Sequence, residues 1–277
     1  MRQTLFRTAW GFSWLVAVLM LVQAIGGLMF QDVYQDNLFV KSAWYGNDWV
    51  TLCLAVPLLI LSLLETWRGS ERARLIWLGI LAFTLYNYAF YAFGSVLSSF
   101  FLLFVALVTA ALYSLIFGLA GLDAESLSFH ARTPARRISA YMFLWALLLS
   151  CLWIVQSLQF AFTRELPQIV VATEYPTNIT AILDLSLMVP AVFLSAYLLW
   201  NHHAWGYVLA TVMNVKGALY ALVLAVGSYV GSRNGIPGLA EQIPLWLTLS
   251  CASLLCCGHL LANLAPLRKS NKPEPLF

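Results

Sequence analysis

Lys216 lies near the middle of the run Trp205 to Ser232, which is long enough to cross a bilayer. A lysine at that depth is expensive, so it must be paired, hydrated or part of a site. Successive helical residues turn by about 100°, which puts Lys216 on one face with Tyr220 and Gly227. Asn214 lies about 200° away by the same geometry, on a stripe with Ala210, Gly217, Ala221, Ala225 and Ser228. Small residues at that spacing admit a second backbone, so Asn214, Gly217 and Ala221 are assigned to helix packing. Three roles stay open for Lys216. It can be a structural lysine, bonded to a tyrosine hydroxyl or a carbonyl or snorkelling to the inner surface, and this reading is preferred. It can serve a substrate, ion or proton site. It can also form a Schiff base with a chromophore, because a desolvated lysine is a nucleophile; no counter-ion for that role is visible in the sequence.

The third apolar run carries Asn87, Tyr88 and Tyr91, with Phe83, Asn87, Tyr91 and Gly94 on one stripe. That face suits helix packing, which is preferred, or the wall of a ligand cavity. Asp184 stands just inside the outer end of the sixth run, with Ser195 on its face and Pro190 between them. Helices broken by proline often border binding sites, but an Asp at a helix start is most simply a cap. Lys216 sits about 16 Å from the inner end of its helix, so a direct pair with Asp184 is not expected and any polar link runs through Tyr220 and Tyr88. Glu65 and Arg68 read as a solvated ion pair. His259 shares a face with Cys256 and Asn263 but lacks the ligand spacing of metal or haem sites, so no metal and no cofactor is assigned. No GxSxG, HExxH, Walker or GxGxxG motif is present, which disfavours an enzyme.

The elements that position these residues follow from composition. Of the 277 residues, 61% are hydrophobic and 10% charged, where a soluble domain carries about 25% charged residues. The chain is therefore read as a polytopic membrane protein, with the lipid bilayer as partner and no nucleic acid. Runs of about 20 apolar residues span a bilayer, and eight are placed at residues 9–30, 49–66, 75–97, 99–121, 139–162, 181–200, 205–232 and 244–266. The connections alternate in charge. One set holds Arg2 and Arg7, then Arg68, Arg72 and Arg74, then Arg132, Arg136 and Arg137, then His202 and His203, then Arg268, Lys269 and Lys272. The other holds only Lys41, Arg164 and Arg233 beside Asp32, Asp36, Asp48, Glu165, Glu174 and Glu241. The positive-inside rule places both termini in the cytoplasm of a cell-membrane protein. Gln31 to Asp48 and Thr163 to Thr180 are expected to be ordered external caps. Cys53, Cys151, Cys251, Cys256 and Cys257 all fall in apolar runs and read as small buried hydrophobes.

Setting residue n against n + 133 aligns Leu52 to Pro57 with Leu185 to Pro190, and pairs Leu61-Ser62 with Leu194-Ser195, Trp67 with Trp200 and Val22-Gln23 with Val155-Gln156. Beyond the prolines the register slips, setting Trp77 opposite Trp205 and Tyr88 opposite Lys216. Pro, Trp and Gln in one register point to a tandem duplication, with four-helix repeats at 1–132 and 133–277 and a short cytoplasmic tail at 267–277. An even number of spans keeps the halves parallel. The fold class is an all-α membrane bundle of eight helices in a 4+4 arrangement, with Pro57 and Pro190 as packing landmarks.

The stretches WVTLCLAVPLLILSLLETWRG, IWLGILAFTLYNYAFYAFG and LDLSLMVPAVFLSAYLLW resemble a broad set of multi-pass bacterial membrane proteins of no assigned function. The resemblance covers most of the chain and implies a bacterial inner-membrane bundle and no particular activity. The leading expectation is a transporter, permease-like component or channel for a small solute or ion, with a pathway between the repeats lined by Lys216, Tyr220, Tyr88, Asn87 and Tyr91. The alternative is a sensor or accessory subunit that binds a hydrophobic ligand such as a lipid, quinone or retinoid. An intramembrane enzyme comes third. A partner membrane protein or a second copy of the chain is compatible with each.

Overall fold

The computed structural model describes residues 1–265, so the tail at 267–277, with Arg268, Lys269 and Lys272, lies outside the described residues. Among the described residues, eight helices are long and apolar enough to cross a membrane: α1 (Arg2–Met29), α2 (Leu38–Trp67), α3 (Glu71–Gly94), α4 (Phe101–Ala120), α5 (Ala135–Thr163), α6 (Ile179–Trp200), α7 (Ala204–Arg233) and α8 (Leu239–Ala262). Among the described residues there is no strand, only an isolated bridge between Phe129 and Leu264. This architecture is consistent with an integral membrane protein.

The expected spans match in number and order, and the largest departure is at the second. Helix α2 begins at Leu38 rather than near residue 49. Asn37 caps it, its Oδ1 accepting from the Val40 amide at 3.0 Å, as a helix start requires. Ser42, Asn47 and Asp48 on its first turns are buried. Asp48 is therefore not an external-loop charge, and Gln31 to Asp48 is not a cap over its length. A hydropathy reading stops at such residues because it prices them against lipid, whereas here they face protein. The second external segment contains a short helix, Gln168–Thr173, and Asn178 caps α6 by accepting from the Ala181 amide at 3.0 Å.

Both halves carry a widened π turn, at Thr51–Ala55 in α2 and at Asp184–Met188 in α6. Each is followed by a proline, Pro57 or Pro190. Proline has no N–H to return to the preceding turn, and the ladder resets with a five-residue step, Val56 N–H to Thr51 O and Val189 N–H to Asp184 O. Pro57 and Pro190 are themselves exposed, which corrects their assignment to helix packing. Their effect is on the backbone.

Helix α7 is the hub, packing on α2, α3, α6 and α8. Close approach is set by glycine: a side chain at Gly46 of α2 would strike the backbone of Gly227 in α7, and one at Gly79 of α3 would strike Val215. The first core gathers the first half together with Val208, Val212 and Val215 of α7, and the second gathers the second half with Tyr86 and Ala89 of α3. Each half thus completes its core with a helix of the other. Helix α1 packs along α4, but α5 packs along α6 and not along α8. Three cysteines, Cys53, Cys151 and Cys251, are exposed rather than buried, because a thiol in an apolar run can face lipid as well as core.

Candidate functional site

The gap between α5 and α8 opens a cavity of about 560 Å³, walled on its third side by α7. Its walls are apolar and aromatic, with Trp145 and Trp153 from α5, Trp246 and Leu249 from α8, and Phe90 from α3. Ile169 and Ala172 of the short helix, and Phe39 and Val40 of α2, close the end away from the chain termini. Toward the termini the two helices meet where the Tyr141 hydroxyl and Ser253 Oγ are 3.0 Å apart. Between these ends the rim is open: Leu152 of α5 and Gln242 of α8 line the cavity and are also exposed.

The floor of the cavity is polar. Lys216 is 2% exposed and Asp184 6%, and both line it. The Tyr86 hydroxyl donates to Asp184 Oδ1 at 2.6 Å, and Trp153 Nε1 donates to Oδ2 at 2.8 Å. Lys216 Nζ lies 3.6 Å from the centre of the Tyr86 ring and 4.7 Å from that of Tyr220. Its sole hydrogen-bond acceptor among the described residues is Met188 Sδ at 3.0 Å. The two charges flank one tyrosine, which offers its hydroxyl to the acid and its face to the amine. Such contacts hold an ammonium group by the ring quadrupole.

The sequence-derived candidates therefore divide. Lys216, Tyr220 and Asp184 come together, and the residue that joins them is Tyr86, not Tyr88. Asp184 is not a helix cap, since Asn178 has that role and Asp184 sits in the π turn. Asn214, Gly217 and Ala221 lie along the cavity wall. Gly217 also faces Ser253 of α8, and Asn214 Nδ2 donates back to Ala210 O at 2.8 Å. Tyr86 was hidden in the sequence by its neighbours Tyr88 and Tyr91. The available signal was the helical phase, because Tyr86 is two residues from Tyr88 and so points to another side of α3.

Tyr88 and Tyr91 belong to a second polar cluster, in the first half and closed. Its centre is Asp48, which is 0% exposed. Asp48 Oδ2 accepts from the Tyr34 hydroxyl at 2.6 Å, and Oδ1 accepts from Gln23 Nε2 at 2.9 Å and from the Tyr91 hydroxyl at 3.0 Å. The Tyr88 hydroxyl donates to Gln23 Oε1 at 2.7 Å, and Asn47 Nδ2 donates to the Tyr91 hydroxyl at 2.7 Å. The donors converge on the carboxylate, as a buried acceptor requires. Asn87 is buried nearby in sequence, but its Nδ2 has no partner among the described residues. Gln156, the residue aligned with Gln23, lines the cavity instead, and its Oε1 is buried without a partner.

Above the Asp48 cluster, Asp36 ties the surface segments together. It accepts from Trp44 Nε1 at 3.0 Å, from the Val96 amide at 3.0 Å and from the Tyr175 hydroxyl at 2.7 Å. Asn37 Nδ2 adds a bond to Ala172 O at 2.9 Å. Burial, with the bond to Asp36 and its charge, pushes the Tyr175 hydroxyl well above the ordinary tyrosine range. Elsewhere Glu65 and Arg68 form the expected exposed ion pair. Among the described residues no three His, Cys, Asp or Glu side chains converge as metal ligands would. No protein-family model matches the chain, and comparison with curated proteins and with solved structures finds no match. Function is therefore read from the geometry of the cavity.

Proposed function

We propose that this integral membrane protein binds a hydrophobic ligand with a small polar head, of the lipid, quinone or retinoid kind, in the cavity between α5, α7 and α8. The observation that supports this reading is the combination of an apolar chamber, open between α5 and α8, with a buried lysine at its floor that lacks an oxygen partner. A volume of about 560 Å³ falls in the range of about 300 to 1,000 Å³ usual for small-molecule pockets. The tail would enter sideways between the helices and the head would reach Lys216. With both termini cytoplasmic, as the loop charges argue, the mouth lies in the outer half of the bilayer. The ligand makes the protein a sensor, carrier or accessory subunit.

The solute-pathway reading draws on the tandem organisation. The offset of 133 residues that aligns the prolines also aligns the two π turns, Thr51–Ala55 and Asp184–Met188, which supports parallel repeats. It is the weaker reading, because the contacts of Gly46 with Gly227 and of Gly79 with Val215 fill the seam where a central path would run.

The test is to purify wild type and Ala221→Trp, which fills the cavity from α7, in a mild lipid mimic and to record native mass spectra and absorbance. Wild type should carry or take up a hydrophobic molecule that the variant does not. A wild type that stays empty when offered quinone, retinoid and phospholipid would refute the binding role.

A further inference from the structure

We infer that the cavity selects a neutral ligand whose polar head is a ketone or quinone carbonyl, in preference to an anionic amphiphile such as a fatty acid; this rests on the binding role proposed above. The charges of the floor carry the argument. Lys216 and Asp184 are both buried and both line the cavity, yet no ion pair joins them within 4.0 Å among the described residues. As ammonium and carboxylate they balance each other across Tyr86, so the ionised floor carries no net charge before any ligand arrives.

What each charge still lacks differs. Both oxygens of Asp184 already accept a hydrogen bond, one from Tyr86 and one from Trp153. The ammonium group of Lys216 can donate three hydrogen bonds, and its acceptor is a sulfur atom, with aromatic faces on two other sides. The unmet need is thus an oxygen acceptor. A carbonyl meets it without adding charge. A carboxylate would meet it too, but would draw Lys216 into a pair of its own and leave Asp184 as an uncompensated anion in an apolar chamber, which is costly. Other polar groups in the wall add no charge: Asn214 Nδ2 is committed to Ala210 O and Met142 Sδ, the Tyr141 hydroxyl is paired with Ser253, and Gln156, whose Oε1 has no partner among the described residues, is neutral.

The experiment uses three probes with one chain length, 2-hexadecanone, hexadecanoic acid and hexadecane, titrated into the purified full chain at neutral pH and read as bound fraction by native mass spectrometry. In wild type the ketone should bind about tenfold or more tighter than hexadecane, the size of one hydrogen bond to a charged donor, and tighter than hexadecanoic acid, whose charge leaves Asp184 uncompensated. Asp184→Asn should reverse the order of ketone and acid, because Lys216 then lacks its balancing charge. Lys216→Met should remove the preference for ketone over hydrocarbon while hydrocarbon binding persists. If hexadecanoic acid binds wild type as tightly as the ketone or tighter, the head-group inference is overturned and the binding role stands. If none of the three probes occupies wild type, the binding role itself falls. Should either variant fail to fold, the wild-type order alone decides the inference.

Discussion

Tyr86 links Asp184 to Lys216 through two separable interactions, and a pair of double-mutant cycles can tell them apart. Its hydroxyl donates to Asp184 at 2.6 Å, and its ring lies 3.6 Å from Lys216 Nζ. Tyr86→Phe removes the first and keeps the second; Tyr86→Leu removes both. A side-chain hydrogen bond inside a membrane protein is worth about 0.6 to 1.7 kcal/mol, and a desolvated cation–π contact about 2 kcal/mol. Tyr86→Phe should therefore cost about 1 kcal/mol, and Tyr86→Leu about 3 kcal/mol before any loss of packing. Packing losses cancel in the cycle. Crossed with Lys216→Met, Tyr86→Leu should give a coupling energy of about 2 kcal/mol, whereas Tyr86→Phe should stay within the roughly 0.5 kcal/mol seen for uncoupled sites. The assay is equilibrium unfolding in mixed micelles with SDS, followed by circular dichroism. Equal coupling in the two cycles would show that the ring face does not hold Lys216. The floor would then need a different electrostatic account, and the charge-balance argument would lose its footing.

Two further outcomes test the frame around the site. Gly46→Ala should destabilise by about 3 kcal/mol or more, since the added carbon meets the Gly227 backbone, which cannot rotate away. Gly217→Ala should be neutral or stabilising by up to about 1 kcal/mol, because its new carbon lies 3.3 Å from the movable Ser253 Oγ and alanine is the better helix former; equal thermal shifts in the two variants would contradict this packing. The surface tie predicts a pH dependence. Tyr175 has its folded-state pKa raised above the ordinary value of 10.0, so above that pH the unfolded chain releases a proton that the folded chain keeps. Its stabilising contribution is whole below pH 10.0 and is lost as the pH climbs toward the folded value. Tyr175→Phe should flatten the alkaline fall in melting temperature, and an unchanged slope would remove Tyr175 from the tie.

Much of the frame was legible in the sequence because hydropathy acts locally. A run of apolar residues long enough to span a bilayer becomes a helix whichever neighbours it has, so the eight spans and their order followed from composition and spacing. The paired prolines were legible for the same reason, and each does mark a reset of the backbone ladder. Lys216 could be singled out because its cost in an apolar run is independent of its partners.

Partners were not legible, since they depend on which faces meet. Asp48 looked like a loop charge because it interrupts hydropathy, and only the packing of α1, the segment between α1 and α2, and α3 around it supplies the three donors that bury it. Tyr86 and Tyr88 are indistinguishable by type, yet the rotation of α3 sends one to Asp184 and the other to Gln23. Nor does any local pattern tell that α1 packs along α4 while α5 meets α8 near Tyr141 and Ser253 and does not pack along it. The sequence by itself determined the helices, their order and the anomalous lysine, because those follow from the transfer of single segments into an apolar medium. Tertiary structure alone decided the cavity and its charge balance, because both are properties of surfaces brought together from distant parts of the chain.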